Sequence, residues 1–394
     1  MSDRNVVLGV TGSIAAYKAV DLASKLTQAG VAVHTVMTES ATKLVGPASF
    51  RAITGRSVST DLFELTNPFS IEHVSLAELA DLLLIAPATA NVLAKLACGI
   101  ADDLLSCTAL ATRAPILVAP AMHTAMWENP ATQENVKTLR SRGVSFVGPV
   151  EGRLASGGVG VGRFAPVPEI VGEALRIVGR KGDLSGTRIV VSAGGTRELI
   201  DPIRFVGNRS SGKMGVAVAE AARDRGADVT LVSGPMQVAP PAGLTVVDAE
   251  TAAEMCDEVA AACRTADALI MAAAVADYAP SAPADRKLKK DAERLSIELE
   301  RTADVLASVD GPRVRVGFAA ETENLIENAR RKLADKRLDF VVANRVGASE
   351  SPFGSDVNRT ILIDAEREEE LPLLAKRELA DRILDRVRDL LAAE

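Results

Sequence analysis

The chain is poor in aromatic residues, which fill 3% of its 394 positions, with Trp127 the single tryptophan. Small apolar residues take their place. The composition is 47% hydrophobic and includes 29 glycines, which suits α/β layers in which helices sit close on a sheet. Cysteine is scarce. Cys98, Cys107, Cys256 and Cys263 form no CxxC pair and no metal-type spacing. That excludes a disulfide framework and points to a reduced, cytoplasmic interior. A formal net charge of −7 argues against a nucleic-acid surface, while leaving room for a local basic patch that holds phosphates. No uncharged run reaches membrane-spanning length, and no basic segment followed by an apolar one opens the chain. Neither a membrane span nor a secretory leader is expected. The length suits two or three domains, each with its own core.

Strand patterns alternating with helical ones predict two α/β units. The first opens with Val6-Val-Leu-Gly-Val10, followed by a small-residue turn, Thr11-Gly-Ser-Ile-Ala-Ala-Tyr-Lys18, into a helix. Further strands are expected at 31–37, 82–86, 115–119 and 144–147. The pattern breaks at Arg180-Lys-Gly-Asp-Leu-Ser-Gly186, read as a linker spanning 181–186 between domains 1–180 and 187–394. The second unit restarts with Arg188-Ile-Val-Val-Ser-Ala193 and Gly194-Gly-Thr196. Its strands are expected at 228–232, 244–247, 267–272, 314–319, 338–343 and 360–363, with a charged amphipathic helix over 370–392. Such alternation implies mostly parallel sheets with helices on both faces.

Open α/β sheets place their chemistry just past the C-terminal ends of strands. Three segments of the first unit fit that rule. Gly9-x-x-Gly12-Ser13 offers backbone N–H groups to a phosphate, although tight strand–helix packing explains the glycines equally well. In Pro87-Ala-Thr-Ala-Asn91, Thr89 and Asn91 are placed to cap a helix and to bond a ligand. Ser106-Cys-Thr108 lines the same crevice or simply packs. His123 and Trp127 follow the run Pro115-Ile-Leu-Val-Ala119. His73, in Ile71-Glu-His-Val-Ser-Leu76, is by itself more often a structural residue than a catalytic one.

Together these segments resemble the homo-oligomeric flavin-containing cysteine decarboxylases. The matching elements are Gly12-Ser-Ile-Ala-Ala-Tyr-Lys18, Met37-Thr-Glu-Ser-Ala41, His73-Val-Ser-Leu-Ala77, Pro87-Ala-Thr-Ala-Asn91 with Lys95, Gly99-Ile-Ala-Asp102, and Pro120-Ala-Met-x-x-x-Met-Trp127. The resemblance covers about the first 170 residues. It implies a flavodoxin-like domain holding FMN between subunits, normally in trimers. Gly12, Ser13, Ile14, Thr38, Ser40, Pro87, Ala88, Thr89, Asn91 and Ser106 would form the flavin site, and His73 would serve as catalytic base or electrostatic group. The chemistry needs a flavin because a simple carboxylate cannot lose CO₂ without an electron sink, which oxidation of a terminal cysteine thiol to a thioaldehyde supplies. Two positions depart from the family pattern. His123 stands where the family's PxMNxxMW motif has Asn, and an imidazole can also donate a hydrogen bond to a substrate carboxylate. Ser156, in the Gly-rich Gly152–Arg163 segment that matches a substrate clamp, stands where the family has a proton-donating cysteine. A serine hydroxyl is far less acidic than a thiol, whose reference pKa is about 8.5.

In the second unit, Ser192-Ala-Gly-Gly-Thr-Arg-Glu198 leads to Asn208-Arg-Ser-Ser-Gly-Lys-Met-Gly215, a Gly-, Ser- and Lys-rich stretch suited to phosphates at a helix start. Asp277 follows a buried strand, where a ribose or Mg²⁺ contact is expected. Lys287-Leu-Lys-Lys290 reads in isolation as a solvated basic loop, and Lys332 and Lys336 are i, i+4 neighbours on one helix face. In order, these elements and Gly317-Phe-Ala-Ala-Glu-Thr322 resemble the bacterial phosphopantothenate–cysteine ligases over about 183–390. Fused to the flavin half, they resemble the bifunctional proteins of coenzyme A biosynthesis.

That resemblance implies a ribokinase- or Rossmann-like ligase domain using CTP and Mg²⁺. Asn208 would hold an acyl-cytidylate, Arg204 would act in the later attack, and Lys287 would contact the triphosphate, with Lys289 a second candidate. Ala272, Ala273, Ala274, Asp277, Phe318, Lys332 and Lys336 would contact CTP, and Asp277 the metal. The substrates would be 4′-phosphopantothenate and L-cysteine, and the assembly a homo-oligomer, up to a dodecamer of trimers linked by ligase dimers. Two other readings compete: a nicotinamide or flavin oxidoreductase, and an active ligase joined to a degenerate flavin scaffold of regulatory or assembly role. Against the first, neither glycine turn completes GxGxxG. Ser156 favours the second, while His73 and Pro87–Asn91 oppose it.

Overall fold

The structure is a computed structural model that describes residues 4–63, 71–289, 295–346 and 355–393. The chain divides into two compact units, Met1–Val178 and Gly179–Glu394. Among the described residues, no helix is long and apolar enough to cross a membrane.

In the first unit the strands are β1 (Arg4–Val10), β2 (Val31–Met37), β3 (Val58–Ser59), β4 (Leu82–Ala88), β5 (Ile116–Pro120) and β6 (Ser145–Phe146), followed by β7 (Val150–Arg153) and β8 (Val159–Arg163). The first six form a sheet in the order β3-β2-β1-β4-β5-β6, parallel throughout. Alternate side chains feed opposite layers, because successive residues of a strand point to opposite faces. Val6, Leu8 and Val10 join a core with the helices Ala16–Gln28 and Val167–Gly179, while Val7, Leu83 and Ile85 face the helices Ala90–Cys98, Leu104–Ala111 and Pro130–Ser141. Both faces are therefore covered, which explains why these strands read as unbroken apolar runs. β7 and β8 pair as a separate antiparallel hairpin.

The second unit adds β9 (Arg188–Ala193), β10 (Glu198–Leu199), β11 (Phe205–Val206), β12 (Asp228–Ser233), β13 (Thr245–Asp248), β14 (Ala268–Met271), β15 (Tyr278–Pro280), β16 (Leu299–Arg301), β17 (Val314–Glu321), β18 (Phe340–Arg345), β19 (Val357–Asn358), β20 (Thr360–Ile363), β21 (Glu368–Glu370) and β22 (Leu374–Ala375). The main sheet has eight strands in the order β13-β12-β9-β14-β17-β18-β20-β21. It is parallel up to β18, and β20 and β21 are antiparallel. Ile189 and Val191 face one layer and Val190 the other. Leu184 is buried at 1% exposure in this unit's core, and its N–H donates to the Arg225 carbonyl at 3.0 Å.

One expected element is corrected. The helix predicted from 370 begins at Lys376 and runs to Ala392. Glu368–Glu370 instead pairs with β20. Pro372 explains the difference, since a proline disfavours the helical conformation in the residue before it.

Both sheets reverse their strand order once, between β1 and β4 in the first unit and between β9 and β14 in the second. A doubly wound sheet opens a crevice at that reversal.

Candidate functional site

At the first reversal, the loops after β1, β2, β4 and β5 are bonded to one another. The Thr11 hydroxyl donates to the Pro87 carbonyl at 2.7 Å. The Ser13 hydroxyl donates to the Ala121 carbonyl at 3.0 Å, and the Ala121 N–H donates to the Ala88 carbonyl at 3.0 Å. Gly12 lets the loop after β2 come close, because a Cβ there would lie 2.5 Å from the Ser40 Cβ. The helix Ala16–Gln28 starts with no side-chain cap, and its Ala16 and Lys18 N–H groups donate to the Ser13 and Ala15 carbonyls at 2.8 and 2.9 Å. Ile14 beside it is 65% exposed.

The structure thus gathers Gly12, Ser13, Ile14, Thr38, Ser40, Pro87, Ala88 and Thr89 around one crevice, with several polar groups already committed. Thr38 accepts from the Ala41 N–H and Thr89 from the Val92 N–H, both at 3.3 Å. Asn91 is not the cap expected of it. The helix begins at Ala90 with Thr89 as cap, and Asn91 is an exposed residue of its first turn. The Ser106 hydroxyl is engaged in a capping box with Asp103. Burial would raise the Asp103 carboxyl, but the Lys95 ammonium at 2.8 Å and the Ser106 N–H and hydroxyl hold it below its ordinary range. The family-type Lys95 therefore anchors the start of the helix carrying Ser106.

His73 lies half-buried in the first turn of the helix Glu72–Leu79. The Ser59 hydroxyl, at the end of β3, donates to Glu72 and ties this turn to the edge of the sheet. His123 is exposed and caps the short helix Thr124–Trp127, its Nδ1 accepting the Ala125 N–H at 3.2 Å. Imidazole Nδ1 here does what an asparagine Oδ1 does as a helix cap. The β7–β8 hairpin lies over this loop. The Met122 N–H donates to the Gly162 carbonyl at 3.0 Å, and a Cβ on Gly162 would sit 2.3 Å from the Met122 carbonyl oxygen. Ser156 is exposed at the hairpin's tip.

At the second reversal, Gly194, with φ +82°, brings the loop after β9 against the loop after β12. A Cβ on Gly194 would lie 2.6 Å from the Gly234 carbonyl oxygen. The Ala273 N–H donates to the Ser192 hydroxyl at 3.0 Å and the Ala276 N–H to the Thr196 hydroxyl at 2.9 Å. These bonds shape one wall of a cavity of about 900 Å³. Asn208, Ala272, Ala273, Ala274, Asp277, Phe318, Lys332 and Lys336 all line it. Asn208 is held by its amide, which donates to the Val275 carbonyl at 2.8 Å. Lys332 Nζ donates to the Phe318 carbonyl at 2.7 Å. Its amine is pushed below the ordinary lysine range by burial, against the opposing pull of Asp277 and Glu321. Lys336 pairs with Asp304. Among the described residues no three of His, Cys, Asp and Glu come together to hold a metal. An ion at Asp277 would therefore take most of its ligands from phosphate oxygens and water.

Three expected residues do not line this cavity. Arg204 pairs instead with buried Asp201, Nε to Oδ2 3.0 Å, and donates to the Leu288 carbonyl at 2.9 Å. Lys287 and Lys289 are exposed on the loop that Leu288 ties down, its N–H donating to Asp201 at 3.1 Å. Lys290 lies outside the described residues. Conversely, the cavity is lined by Lys213, Asn358 and Lys376. Of these only Lys213 stood in a motif noted from the sequence.

Residues 1–179 match the Flavoprotein family, and residues 184–391 match the family described as DNA/pantothenate metabolism flavoprotein C-terminal domain. The coenzyme A biosynthesis bifunctional protein CoaBC of Bacillus subtilis is 44% identical over 394 residues, covering 98% of this chain and 97% of that protein. This chain belongs to the family of bifunctional coenzyme A biosynthesis proteins. CoaBC of Mycobacterium tuberculosis is likewise 44% identical, over 99% of this chain and 97% of that one. Among solved structures, the C-terminal domain of a coenzyme A biosynthesis bifunctional protein CoaBC matches 54% of this chain and all of its own, at 39% identity and a TM-score of 0.46.

Proposed function

We propose that this family member makes 4′-phosphopantetheine in two steps. Residues 187–394 join 4′-phosphopantothenate to L-cysteine at the expense of CTP. Residues 1–180 then remove the cysteinyl carboxylate as CO₂, with 181–186 as the connection. The observation that carries the reading is the second unit's cavity, lined by Asn208, Asp277, Phe318, Lys332 and Lys336 though not by Lys287 or Lys289, in a chain that matches a bifunctional relative over 98% of its length.

In the ligase, the phosphopantothenate carboxylate attacks the α-phosphorus of CTP, giving an acyl-cytidylate and pyrophosphate. The cysteine amine then attacks the acyl carbon and CMP leaves. Charge grows on phosphoryl oxygens in both steps, so Lys332 and Lys336 stabilise the transition states, and Asp277 would hold an Mg²⁺ that supplies further positive charge. Asn208, fixed by Val275, holds the acyl group. Arg204, Lys287 and Lys289 act on the substrate from the loop tied to Asp201.

In the decarboxylase, FMN when bound supplies the oxidation and re-reduction that make loss of CO₂ possible. The Gly12–Ser13 turn before Ala16–Gln28 would meet its phosphate, and exposed Ile14 the flat face of its ring. Thr38, Ser40, Pro87, Ala88, Thr89, Asn91 and Ser106 complete the site from the loops and helices around it. His73 moves a proton or steadies charge, and His123 orients the substrate carboxylate under the hairpin. Ser156 apart, no described feature of the first unit favours an inactive scaffold. The working assembly is a cytoplasmic homo-oligomer, trimeric through the first unit and paired through the second.

Incubation with phosphopantothenate, CTP, Mg²⁺ and cysteine should yield CMP and phosphopantetheine by mass spectrometry. His73→Asn should halt the path at phosphopantothenoylcysteine, and Asn208→Asp should impair CMP release alone. Wild-type protein that releases CMP without CO₂ would leave only the ligase. Absence of CMP would remove the ligase assignment.

A further inference from the structure

The β10–β11 hairpin pairs Glu198 with Val206 and Leu199 with Phe205, and the turn between them carries Asp201. Connecting segments run over the surface, yet Asp201 is 1% exposed. A buried carboxylate is costly unless hydrogen bonds and an opposite charge match it. Both are present here, and they divide between the two oxygens. Oδ1 closes the turn, accepting the Ile203 and Arg204 N–H groups at 2.9 Å each. Oδ2 accepts from Arg204 Nε at 3.0 Å, from Arg204 Nη2, and from the Leu288 N–H at 3.1 Å.

The bond to Leu288 spans 87 residues of sequence. Arg204 Nη2 also donates to the Leu288 carbonyl at 2.9 Å, so both backbone groups of this one residue are held by the Asp201–Arg204 pair. The Ala284 N–H donates to the Ile200 carbonyl at 2.9 Å, a second tie between the same two segments. Leu288 is half-buried, while Lys287 and Lys289 on either side of it are exposed. The Arg204 guanidinium, opposed by burial and helped by the three backbone N–H groups, holds the Asp201 carboxyl well below the ordinary carboxylate range. A carboxylate has about four acceptor positions. Five donors occupy those of Asp201, which leaves it none for a substrate or a metal ion. Its work is to hold other groups in place.

We infer that Asp201 is a positioning residue of the ligase, which sets where Lys287 and Lys289 stand by clamping Leu288 between them. The inference rests on the ligase reading, in which those two lysines meet the triphosphate of CTP. A lysine side chain loses much rotamer freedom when its ammonium is fixed on a ligand. Anchoring the backbone beforehand removes part of the search, so the binding energy of the pair is not spent on ordering the loop.

Asp201→Asn tests this in the full chain. The change is nearly isosteric, and the amide oxygen can still close the turn, but its NH₂ then faces the Leu288 N–H and the Arg204 guanidinium, donor against donor. Hydrogen exchange at the Leu288 amide should accelerate about tenfold or more. Calorimetric titration should show CTP binding weakened about tenfold, with CMP, which lacks the triphosphate, bound as by wild type. A merely structural defect would weaken both nucleotides. Positioning also predicts that Asp201→Asn costs no further CTP affinity once Lys287→Met and Lys289→Met are in place, because residues that act through one another are not additive. Leu288→Pro deletes the loop's donor and leaves the Asp201–Arg204 pair. It should show the same selective loss, and it decides the matter if Asp201→Asn fails to fold. Wild-type exchange or CTP affinity in folded Asp201→Asn, equal losses for CTP and CMP, or a loss that multiplies with that of the lysines overturns the positioning role while the ligase reading stands. Wild-type protein that binds neither nucleotide overturns both.

Discussion

The Thr11 hydroxyl donates to the Pro87 carbonyl at 2.7 Å and accepts the Thr89 N–H at 3.1 Å. It joins the loops after β1 and β4 where the strand order reverses. Thr11 is 2% exposed, so water cannot replace it. Thr11→Val keeps the shape and orphans both partners, at a cost of about 1–3 kcal/mol. The first unit should melt earlier and lose flavin on gel filtration, read by absorbance, while CMP release stays at the wild-type rate. Full flavin retention would show that this tie does not shape the crevice.

His123 caps its helix through Nδ1, which leaves Nε2 as the other polar atom of the ring. An asparagine satisfies the same N–H with Oδ1 and keeps its NH₂ for a ligand. His123→Asn should therefore stay within ~0.5 kcal/mol of wild type in stability and keep decarboxylating. His123→Ala removes the cap, costing about 1 kcal/mol, and should raise KM for the decarboxylation substrate. A stable but inactive His123→Asn enzyme would mean that the imidazole does acid–base work.

Ser156 sits exposed at the tip of the β7–β8 hairpin. A thiol there ionises near pH 8.5, and a serine hydroxyl does not approach that acidity. If proton delivery from this tip limits turnover, Ser156→Cys should raise kcat for CO₂-coupled phosphopantetheine formation several-fold without altering KM. Stopped-flow absorbance of the flavin would locate the gain in its reoxidation phase. Equal rates in Ser156→Cys and Ser156→Ala would assign the proton to another group.

Both crevices were legible in the sequence because each follows a continuous apolar strand with a turn of small residues, a local signal that survives without the rest of the fold. The wall formed by Lys376 and Asn358 was not. Lys376 opens an amphipathic helix and Asn358 lies in a short edge strand, and nothing in either neighbourhood marks a ligand. Only the pairing of β19 with β22 brings them together. Asn91 misled for a related reason. Threonine and asparagine are both good caps, and which one acts depends on where the first turn closes. The Lys287–Lys290 run reads in isolation as a solvated loop, and only the family resemblance put Lys287 and Lys289 on the triphosphate; the Asp201 carboxylate ties that loop down by accepting the Leu288 N–H.

Lys332 gives the ligase a pH signature. Burial holds its amine below the ordinary 10.5. Between that lowered pKa and 10.5 the unfolded chain binds a proton that the folded protein lacks, so this residue makes stability rise with pH across the window. Phosphate oxygens drawn to the amine favour its charged form. Nucleotide binding at a pH inside the window must then take up a proton, and CTP affinity must fall as pH rises through it. Calorimetry at one alkaline pH, in buffers of different ionisation heat, reads that uptake directly. Lys332→Met should abolish it and weaken CTP about tenfold at neutral pH. Proton uptake that persists in Lys332→Met would move the titrating group elsewhere in the cavity.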